Sequence, residues 1–409
     1  LHHIVLKRYQ EYPGGVVFYK NLGESLQFIG QVTSLFYLPW VLKFAWAPMV
    51  DLFGTKRGWI VVAQVVLAAI CFLFALTVGT LPTASVIYFT LAGFSVMALI
   101  SATHDVSIDG FYLETLDKEQ QSYFVGVRNA VYKVAILFGQ SLLVFLVGLL
   151  QKNMGMSLAA GWALSFGLCA VICLGAAALH YFGLPKPAAA AAQVDGEAKA
   201  KEPATFKSFL TVFKTYFDQD KILWIVIYIL IFRLGDALVL KMAYPFLLDD
   251  AAKGGMAYSN EQLGLITGVG IGFLLLGGIL GGIVVSKFGL KRTLMPTAIF
   301  QNLSIVLYYF LAQYRPDIGV VYIFNSIEQF GYGLGTAAYT VFLLSTVKSN
   351  YKAGHYAVAT AMMALGIMLP GYWSGNLAAM LGYKTFFLVS FLAAIPGMMV
   401  ILLLPMEDK

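Results

Sequence analysis

The sequence predicts an all-α polytopic membrane protein, and three observations carry that reading. The 409 residues are 59% hydrophobic and only 12% charged, with a mean hydropathy of +0.78. An ordinary soluble domain is about 25% charged and about half apolar, so one globular core cannot hide this much apolar side chain. The apolar residues are gathered into stretches of about 20, the length that crosses about 30 Å of hydrocarbon as a helix. Finally, one short basic turn occurs twice, at the same place in each half of the chain.

The elements follow in order along the chain. Residues 1–27 read LHHIVLKRYQEYPGGVVFYKNLGESLQ, where only GGVVFY is apolar. That run is too short to span a bilayer, so the first helix is expected to be abbreviated or incomplete. Apolar stretches then fall at 28–50, 58–80, 86–113, 124–150 and 156–183. The segment 184–209, LPKPAAAAAQVDGEAKAKEPATFKSF, is Ala, Pro, Lys and Glu with nothing to pack, and reads as a cytosolic linker. At its end FKSFLTVFKTYF sets Phe206, Phe209, Leu210, Phe213 and Phe217 at helical spacing, with Lys207 and Lys214 among them, as in an amphipathic helix lying on a membrane surface. Six more stretches follow at 222–248, 262–287, 293–313, 318–347, 355–381 and 383–405. Counting the short first segment, the halves match: a bundle of six helices over 1–183, a linker with its amphipathic helix over 184–220, and a second bundle of six over 221–409.

The repeated turn supports that symmetry. DLFGTKRGW, Asp51 to Trp59, and SKFGLKRTL, Ser286 to Leu294, share Phe-Gly-x-Lys-Arg, each between the second and third spans of its half. Such a turn fixes two helices at the cytosolic face, and its repetition in register resembles the signature of the major facilitator superfamily. Asp51, Lys56 and Arg57 in the first copy, with Lys291 and Arg292 in the second, are the expected cytosolic gate residues. With both turns inside, Lys118, Lys287, Lys348, Lys352 and the linker lysines are cytosolic too, and only Lys20, Lys152, Lys253, Arg315 and Lys384 lie opposite. Positive charge concentrates on the cytosolic side of membrane proteins, so both termini are expected there.

Other classes find little support. Cys71, Cys169 and Cys173 lie in apolar runs with no CxxC pair or spaced His/Cys set, and read as small hydrophobes rather than a disulfide framework or metal site. The net charge of +6 is loop charge and points to no nucleic-acid partner. No nucleophile elbow, HExxH or phosphate loop marks an enzyme, and no cofactor is expected.

Ionisable side chains inside spans cost several kcal/mol, face the bundle interior and mark substrate or proton paths. Lys43 lies in the second span, counting from the short first segment. In the fourth, SATHDVSIDG places Asp105 and Asp109 four residues apart and so on one helix face, with His104 turned about 100° away. Arg128 and Lys133 in the fifth span are the expected cations facing these carboxylates. The seventh span holds Arg233, Asp236 and Lys241, where Asp236 and Arg233 are spaced to pair locally and Lys241 has no obvious local partner. Asp249 and Asp250 follow, expected beyond the membrane. The tenth carries Asn325, Glu328 and Gln329 before a small-residue run that permits close helix approach.

YLPWVLKFAWAPMVD, SATHDVSIDGF, FRLGDAL with its later PFLL, LLLGGILGG and GLGTAAYTVFLL together resemble the AmpG-type permeases of the peptide, acetyl-CoA and drug transporter branch, from about residue 14 to the C-terminus. The resemblance implies an inner-membrane secondary transporter that carries anhydro-muropeptides into the cytosol with protons by alternating access. Its partners would be protons, the bilayer and a peptide- or sugar-bearing anion. Asp105, Asp109, Glu328 and His104 are then the expected proton-linked groups. Lys43, Arg128, Lys133, Arg233, Asp236, Lys241 and Asn325 are the expected substrate-facing groups. His104 stands where that family has Gln. An importer of another organic anion, such as a siderophore or acyl-CoA, and a non-transporting receptor on the same fold are the alternatives.

Overall fold

The structure, a computed structural model, describes residues 14–116, 135, 137–185, 206–347 and 352–406. Helices are the only regular secondary structure among them. In chain order they are α1 Gly14–Asn21, α2 Leu26–Leu35, α3 Leu38–Leu42, α4 Ala47–Leu52, α5 Lys56–Thr77, α6 Thr83–Thr115, α7 Leu143–Met154 and α8 Leu158–Gly183. They continue with α9 Phe206–Phe217, α10 Ile222–Ile231, α11 Leu234–Leu248, α12 Asn260–Phe288, α13 Leu290–Ser304, α14 Val306–Tyr314, α15 Ile318–Ser345 and α16 Lys352–Val400.

Among the described residues seven helical stretches are long and apolar enough to cross a bilayer: Lys56–Thr77, Thr83–Tyr112, Leu158–Gly183, Ile222–Leu248, Asn260–Phe288, Leu290–Tyr314 and His355–Leu403. The last, at about 1.5 Å per residue, is long enough for two crossings. Gly382, at φ 70° and ψ 158°, breaks it where the sequence separates 355–381 from 383–405. That φ is open to glycine at little steric cost.

The stretch 28–50 is not the single span expected. It is cut into α2, α3, a 3-10 turn at Lys43–Ala45, and α4. Pro39 and Pro48 each sit in the first turn of a new helix. A proline has no N–H to give to the preceding turn, so it starts a helix more readily than it continues one. The stretch 222–248 divides in the same way between α10 and α11, here without a proline at the break.

The chain falls into two compact units, Leu1–Phe18 with Phe36–Phe206, and Tyr19–Leu35 with Lys207–Lys409. The first is centred on rings from four helices. Phe18 meets Trp162 and Phe166 at 5.3 and 5.4 Å, and Phe74 meets Phe94 and Phe166 at 5.0 and 5.2 Å, in the edge-on arrangement that aromatic quadrupoles favour. The second has Tyr228, Phe232, Tyr339 and Phe342 at its centre, with Phe232 stacked on Tyr339 at 4.9 Å.

In the second unit α12 and α15 approach backbone to backbone. A methyl on Gly277 would lie 2.1 Å from the Phe330 carbonyl oxygen, and one on Gly333 2.2 Å from that of Leu274. The small residues of GYGLG thus do what small residues do between membrane helices, letting backbones touch.

The amphipathic helix forms as α9, and its inner side packs on protein. Tyr216 is fully buried, its hydroxyl 3.2 Å from Thr346 Oγ1, and Phe213 packs against the same core. Burial pushes the Tyr216 hydroxyl above its ordinary range, opposed in part by that hydrogen bond. Thr215 Oγ1 lies 3.0 Å from His355 Nε2, so α9 is pinned to the start of α16 by polar as well as apolar contacts.

Candidate functional site

In the first unit the charge cluster of α6 is answered from the broken second span. Asp105 is buried and accepts a hydrogen bond from Lys43 Nζ at 2.8 Å. The 3-10 turn brings this about, since the lysine leaves a tight bend, and the neighbouring Trp46 indole donates to Thr103 Oγ1 at 3.1 Å. Lys43 is therefore committed to a carboxylate. Arg128 and Lys133, the cations expected to face Asp105, lie outside the described residues. Asp109 is half-buried, one turn along the same face. His104 is fully buried, on the different face that helical geometry assigns to it.

The Lys43–Asp105 pair is expected to stabilise the first unit. Removing one partner of a buried pair costs about 3–5 kcal/mol, less here because Lys43 keeps 28% of its side chain exposed. Lys43→Met should lower the thermal midpoint in detergent more than Lys43→Met/Asp105→Asn does. Losses that simply add in the double variant would show that the pair contributes nothing.

The first basic turn is a clamp. Lys56, at the start of α5, donates to the Val50 carbonyl at 3.0 Å, and Gly110 of α6 leaves room for its stem, since a methyl there would lie 2.8 Å from Lys56 Cε. Arg57 donates to the Tyr181 carbonyl of α8 and covers the Tyr181 ring at 5.3 Å. The turn thus ties the start of α5 to α4 and α8. The Asp51 side chain lies outside the described positions. Lys291 and Arg292, the second copy, are exposed at the start of α13.

The second unit gathers most of the remaining candidates. Arg233 sits at the break between α10 and α11 and reaches α15, donating to Tyr332 Oη at 2.6 Å and Thr336 Oγ1 at 2.9 Å. Its guanidinium also lies 5.2 Å from the rings of Tyr332 and Tyr339, in cation–π range. Asp236 accepts its hydrogen bond from the Gln301 amide of α13 and stays within electrostatic reach of Arg233. The local pairing suggested by their spacing is therefore one of charge, while the hydrogen bonds of both go to other helices.

Lys241 is completely buried and donates to Thr33 Oγ1 of α2 at 3.1 Å, while Thr33 donates to the Ile29 carbonyl. On α15, Glu328 accepts from Gln329 at 2.8 Å. Asn325 donates to the Ile266 carbonyl and accepts from the Tyr308 hydroxyl, both at 3.1 Å. Glu328, Gln329, Asn325, Tyr308, Tyr244 and Thr267 line one small pocket, so three side chains of a single helix converge with partners from α11, α12 and α14.

Asp249, expected beyond the membrane, is buried at the end of α11. It receives Lys20 Nζ at 2.6 Å and the Tyr383 hydroxyl at 2.6 Å, with Asn21 and Asn260 joined beside it at 3.1 Å. Sequence reasoning missed Thr33, Gln301, Tyr308, Tyr332 and Thr336. A signal existed for Gln301, an amide in the middle of an apolar stretch, but only ionisable residues were weighed there. Hydroxyls that bond back to their own helix carry no such signal. Among the described residues no group of three His, Cys, Asp or Glu is placed to hold a metal.

Known proteins resemble this chain over nearly all of its length. The family model described as Major Facilitator Superfamily matches residues 14–369. The anhydromuropeptide permease of Escherichia coli K12 is 25% identical over 386 residues, covering 90% of this chain and 71% of that protein. The putative transporter AmpG 4 of Rickettsia felis is 23% identical over 383 residues, covering 90% and 86%. Among solved structures, a bacterial homologue of the human lysosomal transporter Spinster, inward-facing and occupied, superposes with a TM-score of 0.72 at 13% identity, covering 98% of this chain and 94% of that one. The nucleoside transporter NupG gives 0.68 at 15%, covering 98% and 96%. At these identities the structures speak for the fold alone.

Proposed function

The chain belongs to the major facilitator superfamily, and from that membership we propose that it is a proton-coupled importer of anhydro-muropeptides or closely related cell-wall fragments across a bacterial inner membrane. The observation that carries the reading is the likeness to the AmpG relatives over 90% of the chain, in a protein whose spans bury Arg233, Asp236, Lys241 and Glu328. Charges of this kind are expensive in a membrane and are kept where ions or polar substrates pass.

A muropeptide stem carries carboxylates. Lys241 supplies a buried ammonium and Arg233 a guanidinium, the two groups that bind carboxylates strongly. Of the two, Lys241 is the better candidate for direct contact, because Arg233 already spends two N–H groups on Tyr332 and Thr336. Asn325 holds its place through Ile266 and Tyr308 and shapes the pocket beside Glu328. Lys43 acts as the counter-charge of Asp105 rather than on substrate, and Lys56 and Arg57 hold the basic turn. Transport then proceeds by alternating access, with both termini cytosolic as the distribution of Lys and Arg suggests.

The test is uptake of labelled anhydro-muropeptide into proteoliposomes carrying the purified protein, with and without an imposed proton gradient. Accumulation that a protonophore abolishes is the expected result. Uptake indifferent to the protonophore would remove the coupling, and transport of a siderophore or acyl-CoA in place of the muropeptide would replace the substrate.

A further inference from the structure

Glu328 of α15 is 3% exposed and lines a buried pocket of the second unit. Its polar neighbours there are Tyr244 of α11, Thr267 of α12, Tyr308 of α14, and Asn325 and Gln329 of α15. The space they enclose takes a group of about the size of one water molecule. We propose that this pocket binds one small monovalent metal cation, Na+, held by the Glu328 carboxylate and the neutral oxygens around it. The inference goes beyond the transport reading and does not depend on it. It gives Glu328 a metal ion in place of the proton that a carboxylate in a span suggested.

Charge is the first support. No Lys, Arg or His lines the pocket, and among the described residues Glu328 is in no salt bridge. The cations of α11 and its break bond elsewhere, Arg233 to Tyr332 and Thr336, and Lys241 to Thr33. An ionised carboxylate buried without a counter-charge is costly, so the pocket calls for one positive charge. A divalent ion would leave an excess of the opposite sign, and Ca2+ or Mg2+ sites answer that with further carboxylates or waters. Asp105 differs in kind, because Lys43 already neutralises it at 2.8 Å.

The hydrogen bonding is the second support, since it leaves oxygens turned to the pocket. Glu328 Oε2 accepts from the Gln329 amide at 2.8 Å, and no described residue donates to Oε1. Thr267 is 6% exposed and makes no hydrogen bond among the described residues, whereas Thr293 and Thr297 each return theirs to a carbonyl one turn back. A buried hydroxyl left unbonded costs free energy, and a cation gives that oxygen and the carboxylate oxygen one common partner. Asn325 is fixed from two sides, by the Ile266 carbonyl and the Tyr308 hydroxyl, both at 3.1 Å, so the wall beside Glu328 is held in place. Gln329 gives its N–H to Glu328 and keeps its own carbonyl oxygen.

Oxygens of this kind are the hard donors that suit hard cations, while softer metals are selected by sulfur and imidazole. A single charge needs one carboxylate and neutral oxygens, so it needs no trio of His, Cys, Asp or Glu. Size separates a bare ion from a substrate amine, which would have to bring its carbon chain into a space of one water.

Purified protein in detergent, dialysed to equilibrium against radiolabelled Na+ in choline chloride, tests the site without substrate or gradient. Wild type should bind Na+ saturably, at about one ion per chain. Glu328→Gln should weaken that binding roughly 30-fold or more, as removing one side of a buried charge contact does. Thr267→Val, which keeps the shape and removes the hydroxyl, should weaken it roughly fivefold. At constant ionic strength Na+ should also raise the thermal midpoint of wild type and leave that of Glu328→Gln where it was. Wild type without saturable Na+ binding overturns the proposal, as does an Na+ affinity unchanged in Glu328→Gln or in Thr267→Val. Where Glu328→Gln fails to fold, wild-type binding and Thr267→Val decide. Failure of anhydro-muropeptide uptake removes the transport reading and leaves the cation site standing.

Discussion

Lys241→Gln should raise the KM for an anionic substrate by roughly 30-fold or more, with a much smaller change in kcat. The expectation follows from removing one partner of a buried, hydrogen-bonded charge contact, which costs about 2–5 kcal/mol, each 1.4 kcal/mol being about tenfold. Glutamine keeps most of the side-chain length and can still donate to Thr33, which Lys241 contacts at 3.1 Å, so packing is disturbed little. A structural role and a binding role then separate cleanly. If Lys241 only props α2 against α11, the variant loses thermal stability and keeps its KM. If it holds a substrate carboxylate, the KM moves while the fold does not, because burying an amide costs less than burying an ammonium. Uptake kinetics in proteoliposomes and thermal unfolding in detergent, measured on the same preparation, decide between the two. An unchanged KM sinks the binding role.

Gly277→Ala is expected to force α12 and α15 apart and to destabilise the second unit strongly. The added carbon would lie 2.1 Å from the Phe330 carbonyl oxygen, and a backbone oxygen inside a helix cannot swing away as a side-chain tip can. The helices α12 and α15 must then part along their contact. Overpacking of this kind costs about 1–3 kcal/mol and occasionally more, and the upper end is expected here because the neighbour is backbone. Gly333→Ala should behave alike, its methyl meeting Leu274 at 2.2 Å. Gly272, on the same helix α12 with nothing within 4 Å of the added carbon, supplies the comparison: Gly272→Ala should leave the thermal midpoint within a degree or two. Equal midpoints for Gly272→Ala and Gly277→Ala would show that the close approach carries no stability.

These two positions also mark the boundary between what was legible and what was not. That α15 uses small residues to approach a neighbour could be read from GYGLG. That the neighbour is α12, with Gly277 in register against Phe330, could not be, since the sequence gives the face of a helix but not its partner. Lys241 was picked out because a cation in an apolar span is expensive wherever it ends up. Its partner Thr33 lies more than 200 positions away and looks like any other span threonine. The partners of Asp249 were hidden for a related reason. It lies just past the last apolar residue of its span, and Lys20 and Tyr383 arrive from distant parts of the chain to bury it.

By itself the sequence determined the class, the approximate spans, the repeated turn, and which side chains would be costly in a membrane. Those properties are local or additive: transfer free energy accumulates over about 20 consecutive residues, and a charged group carries its penalty whatever its neighbours. Only the tertiary structure decided that Asp105 is answered by Lys43, and that Arg233 and Asp236 send their hydrogen bonds to different helices. Pairing depends on distance and direction between helices remote in the chain. In an apolar medium a few ångströms separate a neutralised charge from an exchangeable proton.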